Sequence, residues 1–100
     1  MKKIVLCCNA GMSTSMLVEK MRAAAAADAF DCEIAAYAIS EVESKAKDAD
    51  VILLGPQVRF ELKKVQKLFP DKPVEAIAPQ DYGMLKGGNV IARAKSLMGV

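Results

Sequence analysis

Apolar positions along this chain fall into two regimes, unbroken short runs and helix-spaced stripes, and the two alternate. The segment Lys3 to Cys7 is apolar after its first residue, as suits a strand buried on both faces of a parallel sheet. From about Ser13 to Asp28 the spacing becomes helical, with Leu17, Met21, Ala24 and Ala25 on one side. The alanines from Ala23 to Ala27 there reflect strong helix propensity rather than low complexity. Cys32 to Ala38 reads as a second strand, polar and alanine-rich enough for a sheet edge. Ser40-Glu41-Val42-Glu43 has the spacing of a capping box and predicts a short helix to about Lys47. Val51-Ile52-Leu53-Leu54 is the clearest central strand and stops at Gly55-Pro56. A helix is expected from about Gln57 to Phe69, with Phe60, Val65, Leu68 and Phe69 inward. After Pro70-Asp71-Lys72-Pro73, Val74 to Ala78 is a fourth strand. Beyond Pro79 a loop holding Tyr82-Gly83 and Gly87-Gly88 leads to a last helix from about Asn89 to Met98.

Strands and helices in strict alternation, with short connections, predict an α/β fold in one domain spanning residues 1–100. The expected sheet is four-stranded and parallel, in the order 2-1-3-4, with helices on both faces. The chain then reverses direction between its first and third strands. Ligands bind outside the carboxyl ends of strands at such a point, where the loops Cys8 to Ser15 and Gly55-Pro56-Gln57 meet.

Composition narrows the field. A net charge of +2, scattered and without basic blocks or interleaved aromatics, does not fit nucleic-acid binding. No apolar run approaches the ~20 residues of a membrane span, and Ile4 to Cys8 is too short for a signal-peptide core. Three cysteines, an odd number, argue against a disulfide framework and for a reducing cytoplasm. Histidine is absent, which removes the usual general base, the usual phosphate-carrying imidazole and the commonest zinc ligand. No metal or cofactor is expected. A covalently carried phosphoryl group would have to ride on Cys, Ser, Thr, Tyr or a carboxylate.

The chemistry concentrates in Cys8-Asn9-Ala10-Gly11-Met12-Ser13-Thr14-Ser15, between the first strand and the first helix. Helix N-termini present unpaired N–H groups and a favourable dipole to anions, and the same field favours thiolate over thiol. Cys8, at the rim of this cradle, is the candidate nucleophile. Cys7, inside the strand, and Cys32, at the start of an edge strand, read as packing residues. Gly11 allows close backbone approach to an anion, and small Asn9 and Ala10 leave their N–H groups facing inward. The hydroxyls of Ser13, Thr14 and Ser15 suit helix capping and phosphate contact equally. Met12 is placed either as an apolar cover or in helix packing. Gln57 is a candidate contact for the loop or a partner, with helix capping the alternative; Tyr82 is a weaker candidate, with packing favoured. Arg59 is read as a solvated helix charge.

A cysteine followed by a phosphate-cradling loop resembles the low-molecular-weight tyrosine phosphatases. Their pattern requires an arginine where this chain has Thr14, and no basic residue lies between Cys8 and Lys20. Asp48, Asp50, Asp71 and Asp81 offer carboxylates, but none sits in an evident acid loop. The thiol loop, together with Leu53-Leu54-Gly55-Pro56-Gln57, Lys72-Pro73-Val74-Glu75 and Tyr82-Gly83, is instead similar to a different family across essentially the whole chain. That family is the enzyme IIB component of the bacterial phosphoenolpyruvate-dependent sugar phosphotransferase system, of the lactose/cellobiose/chitobiose type. Asn9 departs from it, standing where serine is usual.

The resemblance implies a four-stranded parallel sheet flanked by helices. It also implies that Cys8 accepts a phosphoryl group from a phosphohistidine of a IIA component and passes it to a sugar entering through a membrane-embedded IIC transporter. The partners implied are thus IIA, IIC and the sugar, met by a monomer at the inner face of the membrane. Sugar choice belongs to the transporter; a β-glucoside disaccharide such as cellobiose or chitobiose is the expectation, with lactose open. Two other functions stay in play from the residues alone: a phosphatase or arsenate-reductase-like cysteine enzyme, and a thiol sensor that binds anions.

Overall fold

Side-chain alternation along the first strand divides the whole molecule into two layers. The computed structural model of the chain describes residues 1–9 and 12–100. Strand β1 (Lys2–Cys8) sends Ile4 and Leu6 into one core and Val5 and Cys7 into the other. Successive strand side chains point to opposite faces, so a strand with both faces covered must be apolar throughout. Each fully buried Ile or Leu stabilises the fold by about 1.5–3 kcal/mol relative to exposure.

Around β1 the sheet is parallel, in the order β2-β1-β3-β4, with β2 (Cys32–Ala38), β3 (Val51–Leu54) and β4 (Val74–Ala76). This is the expected order, and β2 does lie at an edge. In register, Cys7 stands beside Tyr37 on one side and Leu54 on the other, so β1 and β3 end together. Helices α1 (Met12–Ala27) and α5 (Gly87–Met98) cover the Ile4 face, where Leu17, Met21, Val90, Ile91 and Ala94 pack. Helices α2 (Val42–Lys45) and α3 (Leu62–Leu68) cover the Val5 face with Val42 and Val65. Among the described residues, no helix is long and apolar enough to cross a membrane.

Helix α1 ends in a Schellman motif. The Phe30 N–H donates to Ala25 C=O at 2.9 Å and the Ala29 N–H to Ala26 C=O at 3.1 Å. The motif puts Ala29 at φ 51°, a left-handed conformation that usually selects glycine.

Four sequence expectations need correction. Ser40 does not cap a helix: Ile39–Glu41 is a 3₁₀ turn, α2 ends at Lys45, and no side chain bonds the cap at Glu41. The helix expected from Gln57 to Phe69 is two pieces, a 3₁₀ segment Pro56–Glu61 that is itself kinked at Val58 (φ −120°), and then α3. The kink shifts the helical phase. Phe60 is therefore 79% exposed and Leu68 is also exposed, while Val58 takes the inward place beside Val65 and Phe69. The loop expected after Pro79 holds a short helix, α4 (Pro79–Gly83), and β4 stops at Ala76 rather than Ala78.

Candidate functional site at the ends of three strands

Cys8 closes β1, and by alternation its side chain shares the face of Ile4 and Leu6, toward α1 and α4. Cys7 is its neighbour in sequence but points into the opposite layer. Burial, and then the proximity of Cys8, pushes the Cys7 thiol from 9.0 up to about 12. Burial likewise raises Cys32, with Asp31 adding to it. All three cysteines are free thiols.

The sulfur of Cys8 meets the first turn of α1 directly. Thr14 Oγ1 donates to Cys8 Sγ at 2.7 Å, and the same oxygen lies 2.9 Å from the Tyr82 hydroxyl. Thr14 is 1% exposed and Tyr82 8%. Helix α4 carries Tyr82 from the end of β4 to the place where β1 and β3 also end. The β3 end contributes Gly55, whose N–H donates to the Cys7 carbonyl at 2.8 Å. A β-carbon on Gly55 would stand 3.3 Å from Cys8 Cβ, 3.5 Å from Tyr82 Cε2 and 2.8 Å from Gln57 Oε1. Exposed Gln57 therefore folds its amide back over Gly55.

Cys8, Thr14, Gln57 and Tyr82 thus converge. Ser15 and Asn9 are exposed nearby, Ser15 on the first turn of α1 and Asn9 one residue past β1. Ala10 and Gly11, assigned to the cradle from sequence, lie outside the described residues, as do the side chains of Met12 and Ser13. The first turn of α1 carries no acidic residue to oppose an anion.

Cys8 was expected at the rim, whereas it is only 2% exposed, with the Thr14 hydroxyl on its sulfur and Tyr82 in turn on Thr14. Tyr82 packs in the core, as expected, and its hydroxyl also lies within hydrogen-bond distance of Thr14. Gly55 was named only as part of the loop after the third strand, with no role of its own. Its signal was available: a glycine directly after a central strand at the switch point marks close approach of another group.

Asp48 and Asp50 lie at the opposite end of the sheet, where Asp48 pairs with the Lys3 ammonium at 2.9 Å and Asp50 accepts the Lys3 N–H at 2.8 Å. Asp71 precedes β4 and so belongs to that same far end. Asp81, on α4, accepts from Asn89 Nδ2 at 3.1 Å. Among the described residues, no group of three or more acidic or thiol side chains gathers to hold a metal.

Known proteins resemble this chain in sequence and in fold. The family described as the lactose/cellobiose-specific IIB subunit of the phosphotransferase system matches residues 3–93. The galactose-specific EIIB component of Lactococcus lactis subsp. cremoris (strain MG1363) is 43% identical over 104 residues, covering 97% of this chain and 96% of that one. The cellobiose-specific EIIB component of Lactococcus lactis subsp. lactis (strain IL1403) is also 43% identical, with the same coverage. The solution structure of a cellobiose-specific IIB component from Borrelia burgdorferi superposes with a TM-score of 0.81 at 35% identity, covering 98% of this chain and 92% of that one.

Proposed function

Given that the chain belongs to the lactose/cellobiose-specific IIB family of the phosphotransferase system, and is thus a sugar-specific phosphotransfer component, we propose that Cys8 is the residue that carries the phosphoryl group. The observation that carries this reading is the Thr14 hydroxyl aimed at the Cys8 sulfur, where β1 gives way to α1 at the switch point of the sheet. A hydroxyl donor and a helix N-terminus both favour a thiolate, the reactive form of the nucleophile.

In the first step the thiolate attacks phosphorus on a phosphohistidine of the IIA component. The S–P bond forms, the N–P bond breaks, and imidazole leaves. In the second, a sugar hydroxyl attacks the same phosphorus, the S–P bond breaks and Cys8 returns as thiolate. The hydroxyl proton goes to a base outside this histidine-free chain. Backbone N–H groups at the helix start hold the dianion, each charge-assisted bond contributing about 1.5–3 kcal/mol. No arginine lies in the sequence between Cys8 and Lys20 to clamp the group, so its transfer potential stays high. The cover over the sulfur has to part before a donor can reach it.

Hydrolysis fits the site poorly. Asp48, Asp50 and Asp71 lie at the far end of the sheet, and Asp81 accepts from Asn89. The two Lactococcus relatives are equally identical to this chain yet are named for different sugars. That fits a site that handles phosphorus and leaves sugar choice to a IIC transporter. The sugar proposed is a β-glucoside disaccharide such as cellobiose or chitobiose, phosphorylated at the cytoplasmic face of the membrane by a monomer.

The test is to incubate the protein with a phosphorylated IIA-type donor and map the added phosphoryl mass by peptide mass spectrometry. Label on Cys8, lost in Cys8→Ser and kept in Cys7→Ala and Cys32→Ala, is the expected result. Label that persists in Cys8→Ser overturns the assignment.

A further inference from the structure

The geometry points to Tyr82 as a positioning residue that fixes the Thr14 hydroxyl on the Cys8 sulfur, an inference that deepens the relay reading above. A threonine hydroxyl has a single hydrogen. With that hydrogen on Cys8 Sγ at 2.7 Å, the 2.9 Å contact between Thr14 Oγ1 and the Tyr82 hydroxyl requires the tyrosine to donate. The order is therefore Tyr82 O–H to Thr14 Oγ1, and Thr14 O–H to sulfur.

Two consequences follow from that order. The tyrosine blocks the lone pair that would otherwise let the threonine hydroxyl turn away, so the remaining hydrogen stays on the thiol. Donation into Thr14 also polarises its O–H bond and strengthens the bond to sulfur, an effect larger in a buried, low-dielectric site. Both hydroxyl-bearing residues are buried. The tyrosine ring is held independently, by its place in the Ile4-face core and by its packing beside Gly55. The hydroxyl can therefore be removed without removing the ring.

The experiment is alkylation of Cys8 by iodoacetamide across pH, followed by peptide mass spectrometry on the folded protein, which needs no phosphoryl donor. Other titratable groups on the surrounding elements are Cys7 on β1, Glu19 and Lys20 on α1, and Asp81 on α4. Arg59 and Glu61 follow β3, while Tyr37 and Glu41 lie on and after β2. All stay constant across the variants. Tyr82→Phe is expected to move the midpoint of the Cys8 alkylation profile up by about 0.5 to 1 pH unit, the size of one hydrogen bond. Thr14→Val moves it further, and Thr14→Ser recovers part of that loss. In the double variant Tyr82→Phe is expected to add less to Thr14→Val than it does alone, because the hydroxyl that received the tyrosine's hydrogen bond is already gone.

A Tyr82→Phe profile with an unmoved midpoint overturns the inference, even if the melting temperature falls. So does a double variant shifted by the sum of the two singles. Phosphoryl uptake from a IIA-type donor is measured separately. Its absence from Cys8 would remove the relay reading, while the alkylation midpoints still decide the role of Tyr82.

Discussion

Gly87 stands so close to Lys20 that a β-carbon at Gly87 would lie 2.4 Å from the Lys20 carbonyl carbon and 2.6 Å from its oxygen. The obstacle is helix backbone, which cannot swing aside as a side chain can. Gly87→Ala therefore has to push α5 off α1, at a cost of about 1–3 kcal/mol, the usual penalty for overpacking. Urea titration should show the midpoint falling with little change in slope. Unchanged stability would mean that the two helices are not in this contact.

Ala29 gives the opposite expectation. It holds φ 51° in the Schellman turn after α1, where glycine carries no side-chain penalty. Ala29→Gly is predicted to stabilise the protein by about 0.5–1 kcal/mol, despite the greater freedom glycine brings to the unfolded chain. Thermal unfolding monitored by circular dichroism decides it, and a loss of stability refutes it.

The Cys7 thiol sets a pH dependence whose sign can be worked out. Its folded value is raised to about 12 from 9.0, so the unfolded chain loses this proton first. The stability linked to Cys7 is complete below the unfolded value and is lost as pH climbs toward the folded one. The slope is about 1.4 kcal/mol per pH unit within that window. Urea titrations from pH 8 upward should show Cys7→Ala losing stability less steeply than the parent. Parallel decline in the two proteins would contradict the burial of this sulfur.

Gly55→Ala separates the site from the fold. Gly55 already has φ −62° and ψ 153°, which alanine adopts freely. Of the new methyl's neighbours, Gln57 Oε1 can swing away, but Cys8 Cβ at 3.3 Å has to shift by a few tenths of an ångström. Stability is expected to change by less than about 1 kcal/mol. Phosphoryl uptake by Cys8 should nonetheless slow several-fold, since small displacements of a reacting atom are costly. Equal rates in the two proteins would show that Gly55 does not set the position of the sulfur.

The sheet was legible because its signal is local and repeated. Four apolar runs with helical spacing between them leave few parallel arrangements, and β2 and β3 fall on the residues expected for them. Cys8 and Cys7 were separable for the same reason, since one step along a strand changes the face. What failed was short and phase-sensitive. A stripe drawn at 3.6 residues per turn through Phe60 cannot survive a 3₁₀ segment that is kinked at Val58. Helix α4 has five residues, too few for any periodicity to register, so Tyr82 looked like part of a loop. Its bond to Thr14 spans 68 positions in sequence and arises only because β1 and β4 deliver their C-terminal ends to one rim.

The seclusion of the Cys8 sulfur has a chemical corollary. Peroxide attacks thiolates that it can reach, and the damage beyond sulfenic acid is in general permanent. With Cys8 only 2% exposed and the Thr14 hydroxyl bonded to its sulfur, oxidants in solution have little access to that atom in this conformation.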